Sequence, residues 1–391
     1  MSDRISPRGL YAHVPFCGVK CFYCDFTAFS GQRAQVARYL SALGREAEAY
    51  RGLTVDTLYI GGGTPSELSA SEIETLFGAL RAAFGGAWRE ATFEANPDSL
   101  DAPRIAALRA AGLTRVSLGL QTAEDRLLRS VGRRHTWDDF RRVYDACLRA
   151  GFLVNVDLMY ALPGQTLAES DRSLDTVLRL QPDHVSLYGL QVEDRTVFGK
   201  REVEVDEDLA RAMFESALDR LEAASYVHYE ISNFARPRRQ SAHNRIYWEN
   251  GEYLGLGCGA SSFLGGERRV NLDRLDAYCA AVESGRAPAA EGERLEGRRA
   301  LGETALLGLR LLEGLAWTPE LAAAFPAEAA EIVARGWARL ERGRLSLTRE
   351  GVFLANRVFA EFVEPFRSRS PLPAGGASSR VGHDCLMEVL P

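Results

Sequence analysis

The sequence predicts an α/β protein built on an open, partial (β/α)6 barrel and completed by a C-terminal α+β extension. Three observations support this fold class. Short apolar runs alternate six times with amphipathic helix patterns over the first 200 residues. After residue 200 the alternation stops, and near the C-terminus a hairpin pattern stands between two helical patterns. Alternating strands and helices favour a parallel sheet with right-handed crossovers, and six units are too few to close an eight-stranded barrel.

The predicted barrel elements follow one another without long interruptions. The six strands are short apolar runs at residues 10–14, 57–60, 91–94, 115–120, 153–159 and 184–190. The amphipathic patterns between them predict helices near residues 33–50, 69–84, 101–111, 123–131, 137–150 and 166–180. Ser69 and Asp101 are residue types that cap helix N-termini, so we expect helices to begin there.

The predicted barrel occupies residues 1–200, and the α+β extension occupies residues 201–295. In the extension we expect a long helix at 204–224, followed by a strand in the segment VHYEISNFA. Residues 296–367 predict a helical, winged-helix-like module that ends in a short hairpin and a last amphipathic helix. Residues 368–391 are rich in Pro, Gly and Ser, which predicts a disordered tail.

The composition restricts the classes of function. The formal net charge is −6, so the chain has no bulk attraction for a phosphate backbone, and nucleic acid is not an expected partner. No apolar run approaches the roughly 18 residues of a membrane helix, and the N-terminus lacks the apolar core of a signal peptide. Three of the seven cysteines lie within eight residues, which is a ligand spacing rather than a disulfide framework. We therefore expect a cytoplasmic protein without a transmembrane segment.

The segment PFCGVKCFYCDF carries the strongest chemical signal. Cys17, Cys21 and Cys24 stand in a C-x3-C-x2-C spacing directly after the first predicted strand. Thiolates are soft ligands that suit iron–sulfur clusters and zinc. Structural zinc sites usually have four protein ligands in two separated pairs, and the sequence has no second cysteine pair. Three thiolates on a [4Fe–4S] cluster leave one iron open, and that iron can chelate S-adenosylmethionine (SAM). Zinc stays the alternative on spacing alone.

Polar and glycine residues stand where the next predicted strands end. In barrel-like α/β folds, ligands bind at the carboxyl ends of the strands. The residues concerned are Gly62 and Gly63 in YIGGGTPSE, Glu94 in FEANPD, Gln121 in SLGLQ, Asp157 in NVDLMYALPGQ, and Arg133, twelve residues after Gln121. Each alone has an ordinary explanation as a helix cap, turn residue or ion-pair partner. Five successive strand ends that offer Cys, Gly, Glu, Gln and Asp predict one shared ligand site.

A second motif, HNRIYW, lies in the extension and contains His243, Asn244, Tyr247 and Trp248. An imidazole can ligate heme iron, and aromatic side chains can stack on a porphyrin macrocycle. From these residues alone, a packing and capping turn between the barrel and the C-terminal region is the favoured interpretation. Heme binding is the alternative.

Over residues 8–365 the chain resembles the radical SAM family that contains oxygen-independent coproporphyrinogen III oxidase (HemN) and the heme chaperone HemW. The resemblance rests on the segments YAHVPFCGVKCFYCDF, GGGTP, FEANPD, SLGLQ, VDLMYALPGQT and HNRIYW. It implies a radical SAM barrel whose [4Fe–4S] cluster is held by Cys17, Cys21 and Cys24. It implies that SAM is bound by Tyr11, Gly62, Gly63, Thr64, Glu94, Gln121, Arg133 and Asp157. It further implies heme binding by His243, Asn244, Tyr247 and Trp248.

Within this family the sequence favours the heme chaperone branch. The chaperones carry an HNxxYW motif, and here it is complete. The oxidase carries a fourth cysteine where this chain has Phe26, and a long N-terminal segment that has no counterpart before Cys17. A chaperone would bind heme, the cluster and SAM, and would pass heme to an apo-hemoprotein. The resemblance also implies an electron donor such as flavodoxin or ferredoxin.

Two other functions stay open at this point. The first is the oxidase itself, a coproporphyrinogen dehydrogenase of porphyrin biosynthesis that removes propionate carboxyl groups by radical oxidative decarboxylation. Phe26 and the short segment before Cys17 count against it. The second is another tetrapyrrole-related radical SAM enzyme, such as a methyltransferase or a heme-degrading enzyme. The sequence leaves open whether the scaffold only binds SAM or also cleaves it.

Overall fold

The computed structural model describes residues 7–363, so the predicted tail at 368–391 and the end of the predicted C-terminal module lie outside the described residues. The strands are β1 (Gly9–Val14), β2 (Phe16–Cys17), β3 (Phe29–Ser30), β4 (Thr57–Gly62), β5 (Glu90–Ala95), β6 (Arg115–Gln121), β7 (Leu153–Tyr160), β8 (His184–Gly189), β9 (Val227–Glu230), β10 (Asn233–Ala235), β11 (Tyr253–Leu256), β12 (Ser261–Leu264), β13 (Glu267–Asn271), β14 (Ala289–Arg294), β15 (Leu315–Ala316), β16 (Ala338–Glu341) and β17 (Arg344–Leu347).

The helices alternate with these strands and then dominate the C-terminal part. They are α1 (Val36–Glu48), α2 (Ala70–Phe84), α3 (Ala102–Ala110), α4 (Asp125–Ser130), α5 (Trp137–Arg149), α6 (Leu167–Leu180), α7 (Val197–Lys200), α8 (Glu207–Ala223), α9 (Ala242–Trp248), α10 (Leu275–Glu283), α11 (Gly297–Gly308), α12 (Pro319–Ala324), α13 (Pro326–Ala334), α14 (Arg349–Phe353) and α15 (Ala355–Ala360). Short 3-10 turns occur at Arg33–Gln35 and Pro65–Glu67. No helix within residues 7–363 is both long and apolar enough to cross a membrane.

The six predicted parallel strands form an open barrel. They lie side by side in the order β1-β4-β5-β6-β7-β8, with parallel pairing throughout. Beyond β1 lies β11, which pairs in parallel, and beyond β8 lies β10, which pairs antiparallel. The sheet therefore continues outward on both sides instead of closing on itself. This arrangement confirms the predicted partial (β/α)6 barrel.

The strands of the extension belong to the same sheet as the barrel. The complete sheet has twelve strands, in the order β14-β13-β12-β11-β1-β4-β5-β6-β7-β8-β10-β9. The sequence did not predict this continuity, because β11 and β1 are neighbours in space although about 240 residues separate them. The predicted domain boundaries at 200 and 295 stay a prediction.

Successive side chains on the barrel strands point alternately to the apolar core and to the polar interior of the barrel. Leu58 and Ile60 of β4 and Phe93 of β5 belong to the main hydrophobic core, between the sheet and the surrounding helices. Of their neighbours, Tyr59 instead donates one hydrogen bond to Glu94 inside the barrel. This period of two is the ordinary consequence of the pleated strand, and it gives the barrel a polar interior.

The predicted helix starts are present with their capping interactions. Ser69 accepts a hydrogen bond from the Glu72 N–H, and the Glu72 side chain reaches back to Ser69, which makes a capping box. Asp101 caps α3 by accepting from the Arg104 N–H. These side chains satisfy backbone donors that a helix N-terminus leaves without intrahelical partners.

Two predicted elements differ from the structure. The segment VHYEISNFA is a pair of antiparallel strands, β9 and β10, because the chain turns back between Glu230 and Asn233. The last amphipathic helix is divided into α14 and α15, since Leu354 has φ −109° and ψ 19°, outside the helical region. The predicted hairpin is confirmed as β16 and β17, which form a three-stranded sheet with β15. The winged-helix classification of this module stays a prediction.

Candidate functional site

The residues predicted to bind ligands lie at opposite ends of the barrel. The cysteines, Gly62, Gly63, Glu94 and Gln121 lie at or just beyond the carboxyl ends of strands, and Asp157 lies three residues before the end of β7. His243 instead contacts residues that begin strands. Its ring lies 2.7 Å from the Thr57 hydroxyl, and its backbone N–H donates to Glu90 over 3.0 Å. The structure therefore separates a cluster end from an end that holds the HNxxYW motif.

The cysteine loop begins where β2 ends and is held by backbone hydrogen bonds. The N–H of Phe22 donates to the Val131 carbonyl over 3.1 Å, and the Phe198 N–H donates to the Phe22 carbonyl over 2.9 Å. These bonds fix the loop against α4 and α7. Cys17, Cys21 and Cys24 are half-buried free thiols. The loop is thus an ordered, partly enclosed part of the fold.

The three thiols share one neighbourhood. Burial raises the pKa of the Cys24 thiol to about 11, and the nearby Cys21 and Cys17 thiolates add to the shift. Burial also raises the pKa of Cys17, again with a contribution from Cys21. In the chain from residue 7 to residue 363, no group of three or more His, Cys, Asp or Glu side chains is placed to hold a metal ion. The cluster assignment therefore rests on the number and kind of ligands: three thiols suit an iron–sulfur cluster with an open iron better than a four-ligand structural zinc.

Gly62, the last residue of β4, and Gly63 bring the backbone close to β1 and the start of the cysteine loop. Gly62 has φ +115°, and a Cβ there would lie 2.6 Å from the His13 ring. A Cβ at Gly63 would lie 2.9 Å from the Phe16 carbonyl oxygen. Only glycine fits both positions without displacing its neighbours. Thr64 follows, and its hydroxyl lies 3.3 Å from the Cys17 sulfur.

Two carboxylates face the barrel interior from β5 and β7. Glu94 accepts hydrogen bonds from the Tyr59 hydroxyl at 2.7 Å and from the Gly62 N–H at 3.1 Å. Burial raises the pKa of Glu94 to about 7, and the negative charge of Asp157 contributes to this rise. Burial likewise raises the pKa of Asp157, which accepts from Ser117 at 3.0 Å. The interior thus offers two hydrogen-bond acceptors to a ligand that carries amino or hydroxyl groups.

Arg133 joins the cysteine loop to the end of β5. Its guanidinium donates to the Tyr23 hydroxyl at 2.8 Å and to the Asn96 side-chain oxygen at 2.5 Å. Asn96 in turn donates to the Thr64 hydroxyl over 3.2 Å. A cavity of about 20 Å³ is lined in part by Cys21, Thr64, Asn96 and Arg133. A cation beside the cysteine loop is suited to an anionic ligand group such as a carboxylate.

Gln121 ends β6 in a strained conformation. Its φ is +73°, a value that residues other than glycine seldom adopt, and its side chain is buried. The pairing between β6 and β7 shifts by one residue at this point. Backbone strain of this kind is concentrated at ligand sites, where surrounding contacts hold it in place. The assignment of Gln121 to the site stays a prediction.

Tyr11 and His13 connect β1 to the far side of the cysteine loop. The His13 Nε2 lies 2.8 Å from the Thr27 carbonyl oxygen, which can only accept, so Nε2 carries the proton. Nδ1 then accepts from the Tyr11 hydroxyl over 3.0 Å. Burial lowers the pKa of His13 to about 4, so the ring is neutral at neutral pH. His13 supports the loop that carries the cysteines.

Sequence reasoning missed two polar residues of this end, Tyr59 and Asn96. It expected Tyr23 to shield the cluster and missed the hydrogen bond that Tyr23 accepts from Arg133. Asn96 lies inside the motif FEANPD, so its position within a motif was an available signal, whereas Tyr59 had only its place on a predicted strand beside Ile60. Its ring stacks on Tyr11 at a centroid distance of 6.1 Å and on His243 at 5.3 Å. Tyr59 therefore joins the two ends of the barrel.

The HNxxYW motif forms α9 and closes the barrel at the amino ends of the strands. His243 has no exposed surface. Its Nδ1 lies 2.7 Å from the Thr57 hydroxyl, and its Nε2 lies 2.8 Å from the Tyr247 hydroxyl. Burial lowers the pKa of His243 to about 3. Tyr247 and Trp248 are also buried, and Asn244 is half-buried. These contacts are what we expect if the HNxxYW motif packs the extension against the barrel. Heme binding by the four residues stays a prediction.

Comparison with known proteins identifies the family. The model of the Radical SAM superfamily matches residues 11–177. The heme chaperone HemW of Bacillus subtilis (strain 168) is 34% identical over 376 residues, which cover 91% of this chain and 99% of that protein. The chain belongs to the HemW family of radical SAM proteins. HemW of Mycobacterium tuberculosis (strain ATCC 25618 / H37Rv) is 36% identical over 90% of this chain and 94% of that protein.

The fold agrees with HemW family membership. Coproporphyrinogen III oxidase (HemN) from Escherichia coli, described as a radical SAM enzyme, superimposes with a TM-score of 0.82 at 23% identity. The superposition covers 92% of this chain and 91% of that one, and at this identity it demonstrates the radical SAM fold alone. Radical SAM membership implies a [4Fe–4S] cluster and SAM. Three features of this HemW-family chain are compatible with the cluster and with SAM. They are the half-buried loop of three thiols, the close backbone approach at Gly62 and Gly63, and the carboxylates inside the barrel.

Proposed function

We propose that this HemW-family protein is a heme chaperone, which binds heme, a [4Fe–4S] cluster and SAM and passes heme to an apo-hemoprotein. The observation that carries the proposal is the 34% identity to a protein named heme chaperone HemW, over 99% of that protein's length. Phe26 stands where the resembling oxidase has its fourth cysteine, and its ring is 59% exposed on the cysteine loop. The chain therefore offers no fourth thiol there.

At the cluster end, Cys17, Cys21 and Cys24 would hold the cluster, which supplies an electron to SAM when both are bound. The proposed SAM-binding residues are Tyr11, Gly62, Gly63, Thr64, Glu94, Gln121, Arg133 and Asp157. Among these, the glycine backbone and the interior carboxylates suit an amino group and ribose hydroxyls, and Arg133 suits a carboxylate. An electron donor such as flavodoxin or ferredoxin and a cytoplasmic location complete the proposal.

At the other end, the proposed heme residues are His243, Asn244, Tyr247 and Trp248. Heme iron takes the unprotonated imidazole, and a pKa near 3 keeps His243 in that form at neutral pH. The enclosure of the ring sets a condition on ligation. The hydrogen bond between Nε2 and Tyr247 must break, and α9 must move away from the strands before an iron atom can reach the ring.

The test uses anaerobic, cluster-reconstituted protein. Heme is titrated into the wild type, His243→Ala and His184→Ala, and the Soret band is recorded. His184 is the matched control, because it is also buried with both ring nitrogens engaged, by Asn155 and Tyr229. We expect stoichiometric heme binding by the wild type and by His184→Ala, and its loss in His243→Ala.

A parallel assay supplies coproporphyrinogen III, SAM and reductant, and tetrapyrrole products are separated by chromatography. The chaperone proposal expects no decarboxylated product. Formation of protoporphyrinogen, together with heme binding that is indifferent to His243, would refute the chaperone function and restore the oxidase.

A further inference from the structure

The Arg310 side chain lies two residues beyond α11 and is stacked on the motif tryptophan. Its guanidinium carbon is 4.2 Å from the centroid of a Trp248 ring. Its Nε atom is buried and has no hydrogen-bond partner among residues 7–363, and the same is true of the Trp248 indole nitrogen. A buried donor without an acceptor is unfavourable, because it has lost its hydrogen bonds to water without a replacement. Two neighbouring orphan donors therefore indicate a place where an acceptor group binds.

The nearest counter-charge does not satisfy these donors. Glu230 is fully buried and lies within electrostatic range of Arg310. Its own oxygens accept hydrogen bonds from the Asn233 side chain and, at 3.4 Å, from the Ser232 N–H. Burial lowers the pKa of the Arg310 guanidinium, and the charge of Glu230 offsets part of this effect. The Glu230 carboxylate thus compensates the positive charge of Arg310 but accepts no hydrogen bond from the Arg310 Nε.

The sheet register places Glu230 level with Asp157. Glu230 pairs with Asn233, Asn233 pairs with Ser186, and Ser186 pairs with Asp157. Tyr188, two residues after Ser186, lies within electrostatic range of Asp157, Glu230 and Arg310. Tyr188 as a whole residue is 42% exposed. Arg310 therefore lies beside Glu230 and Tyr188, at the side of the barrel where β8 is followed by β10 and β9.

We propose that Arg310, stacked on Trp248, binds a carboxylate, and that this carboxylate is a propionate of heme. The inference rests on the proposed heme chaperone function and adds a recognition residue to it. Heme combines a flat aromatic macrocycle with two propionates. A planar guanidinium matches a carboxylate with parallel hydrogen bonds, and its stacking on an indole fixes its orientation before the ligand arrives.

SAM is the second source of a carboxylate, so the experiment separates the two ligands. Cluster-reconstituted wild type, Arg310→Gln and Arg310→Lys are titrated with heme, with heme dimethyl ester, whose propionates are esterified, and with SAM. Arg310→Lys keeps a positive charge beside the buried Glu230. It therefore tests the role of the guanidinium in a protein whose buried charge is still compensated. Arg335→Gln is the matched control, because Arg335 also stacks on a tryptophan, at 4.7 Å from the Trp337 ring centroid.

We expect Arg310→Gln to bind heme about 10- to 100-fold more weakly than the wild type, the effect of losing a charge-assisted hydrogen bond. Arg310→Lys should fall between them, and Arg335→Gln should match the wild type. All four proteins should bind the dimethyl ester equally, and as weakly as Arg310→Gln binds heme. Unchanged heme affinity in Arg310→Gln, an equal loss for the ester, or a loss confined to SAM would each overturn the propionate assignment. A wild type that binds no heme would refute the proposed function itself, and this inference with it.

Discussion

Glu46 on α1 provides a pH-dependent test of how the barrel and the extension are joined. Its carboxylate is buried and accepts three hydrogen bonds from residues more than 200 positions away. They come from the Gly257 N–H at 2.8 Å, the Asn271 side chain at 2.7 Å and the Tyr278 hydroxyl at 2.6 Å. Burial raises the pKa of Glu46 from 4.5 to about 7 despite these bonds. The folded protein therefore holds a proton on Glu46 more tightly than the unfolded chain does.

The sign and size of the effect follow from this shift. A carboxyl whose folded-state pKa is raised contributes no penalty below about pH 4.5, and the folded state is increasingly disfavoured as the pH rises towards 7. One pKa unit corresponds to about 1.4 kcal/mol, so the whole shift is worth about 3 kcal/mol. Glutamine at this position does not titrate. The free energy of unfolding of the wild type should therefore fall by about 2–3 kcal/mol relative to Glu46→Gln between about pH 5 and about pH 8.

The measurement is urea denaturation of both proteins, followed by circular dichroism at several pH values under anaerobic conditions. The difference between the two proteins isolates Glu46, because the raised pKa of Glu94 affects both alike. Glu48→Gln is the control on the same helix, since a hydrogen bond from Arg51 lowers the pKa of Glu48 out of this pH range. A difference between wild type and Glu46→Gln that stays constant with pH would refute the reasoning.

Three further predictions concern the two ends of the barrel. Glu90→Ala should destabilise the fold by about 3–5 kcal/mol in urea denaturation, because it leaves the buried Arg115 without its carboxylate partner and the His243 N–H without its acceptor. Gly62→Ala should weaken SAM binding in equilibrium dialysis, because its Cβ enters the space of a histidine ring. Gly52→Ala, also at positive φ but with no atom within 4 Å, should leave SAM binding unchanged. Cys24→Ala should lose the iron and the visible absorbance of reconstituted protein, whereas Cys258→Ala should keep both; equal iron content would contradict the cluster assignment.

Much of the barrel was predictable because its information is local. Each parallel strand is a short apolar run bounded by a turn, and each helix start carries its own cap, as at Ser69 and Asp101. The cluster loop is contained in eight residues. The residues proposed for SAM could be grouped without coordinates, because the carboxyl ends of successive parallel strands always meet at one edge of a sheet.

Contacts between distant segments needed the tertiary structure. The letters HNxxYW do not encode the end of the barrel at which α9 packs, and the enclosure of His243 depends on Thr57, 186 positions away. The contact between Arg310 and Trp248 also needed the tertiary structure, because only the folded chain shows that the two side chains stack and that their buried N–H groups have no acceptor. A sequence pattern records which side chains share a face of one helix or strand. Only the folded chain decides which faces meet, because that choice depends on the packing of the whole sheet.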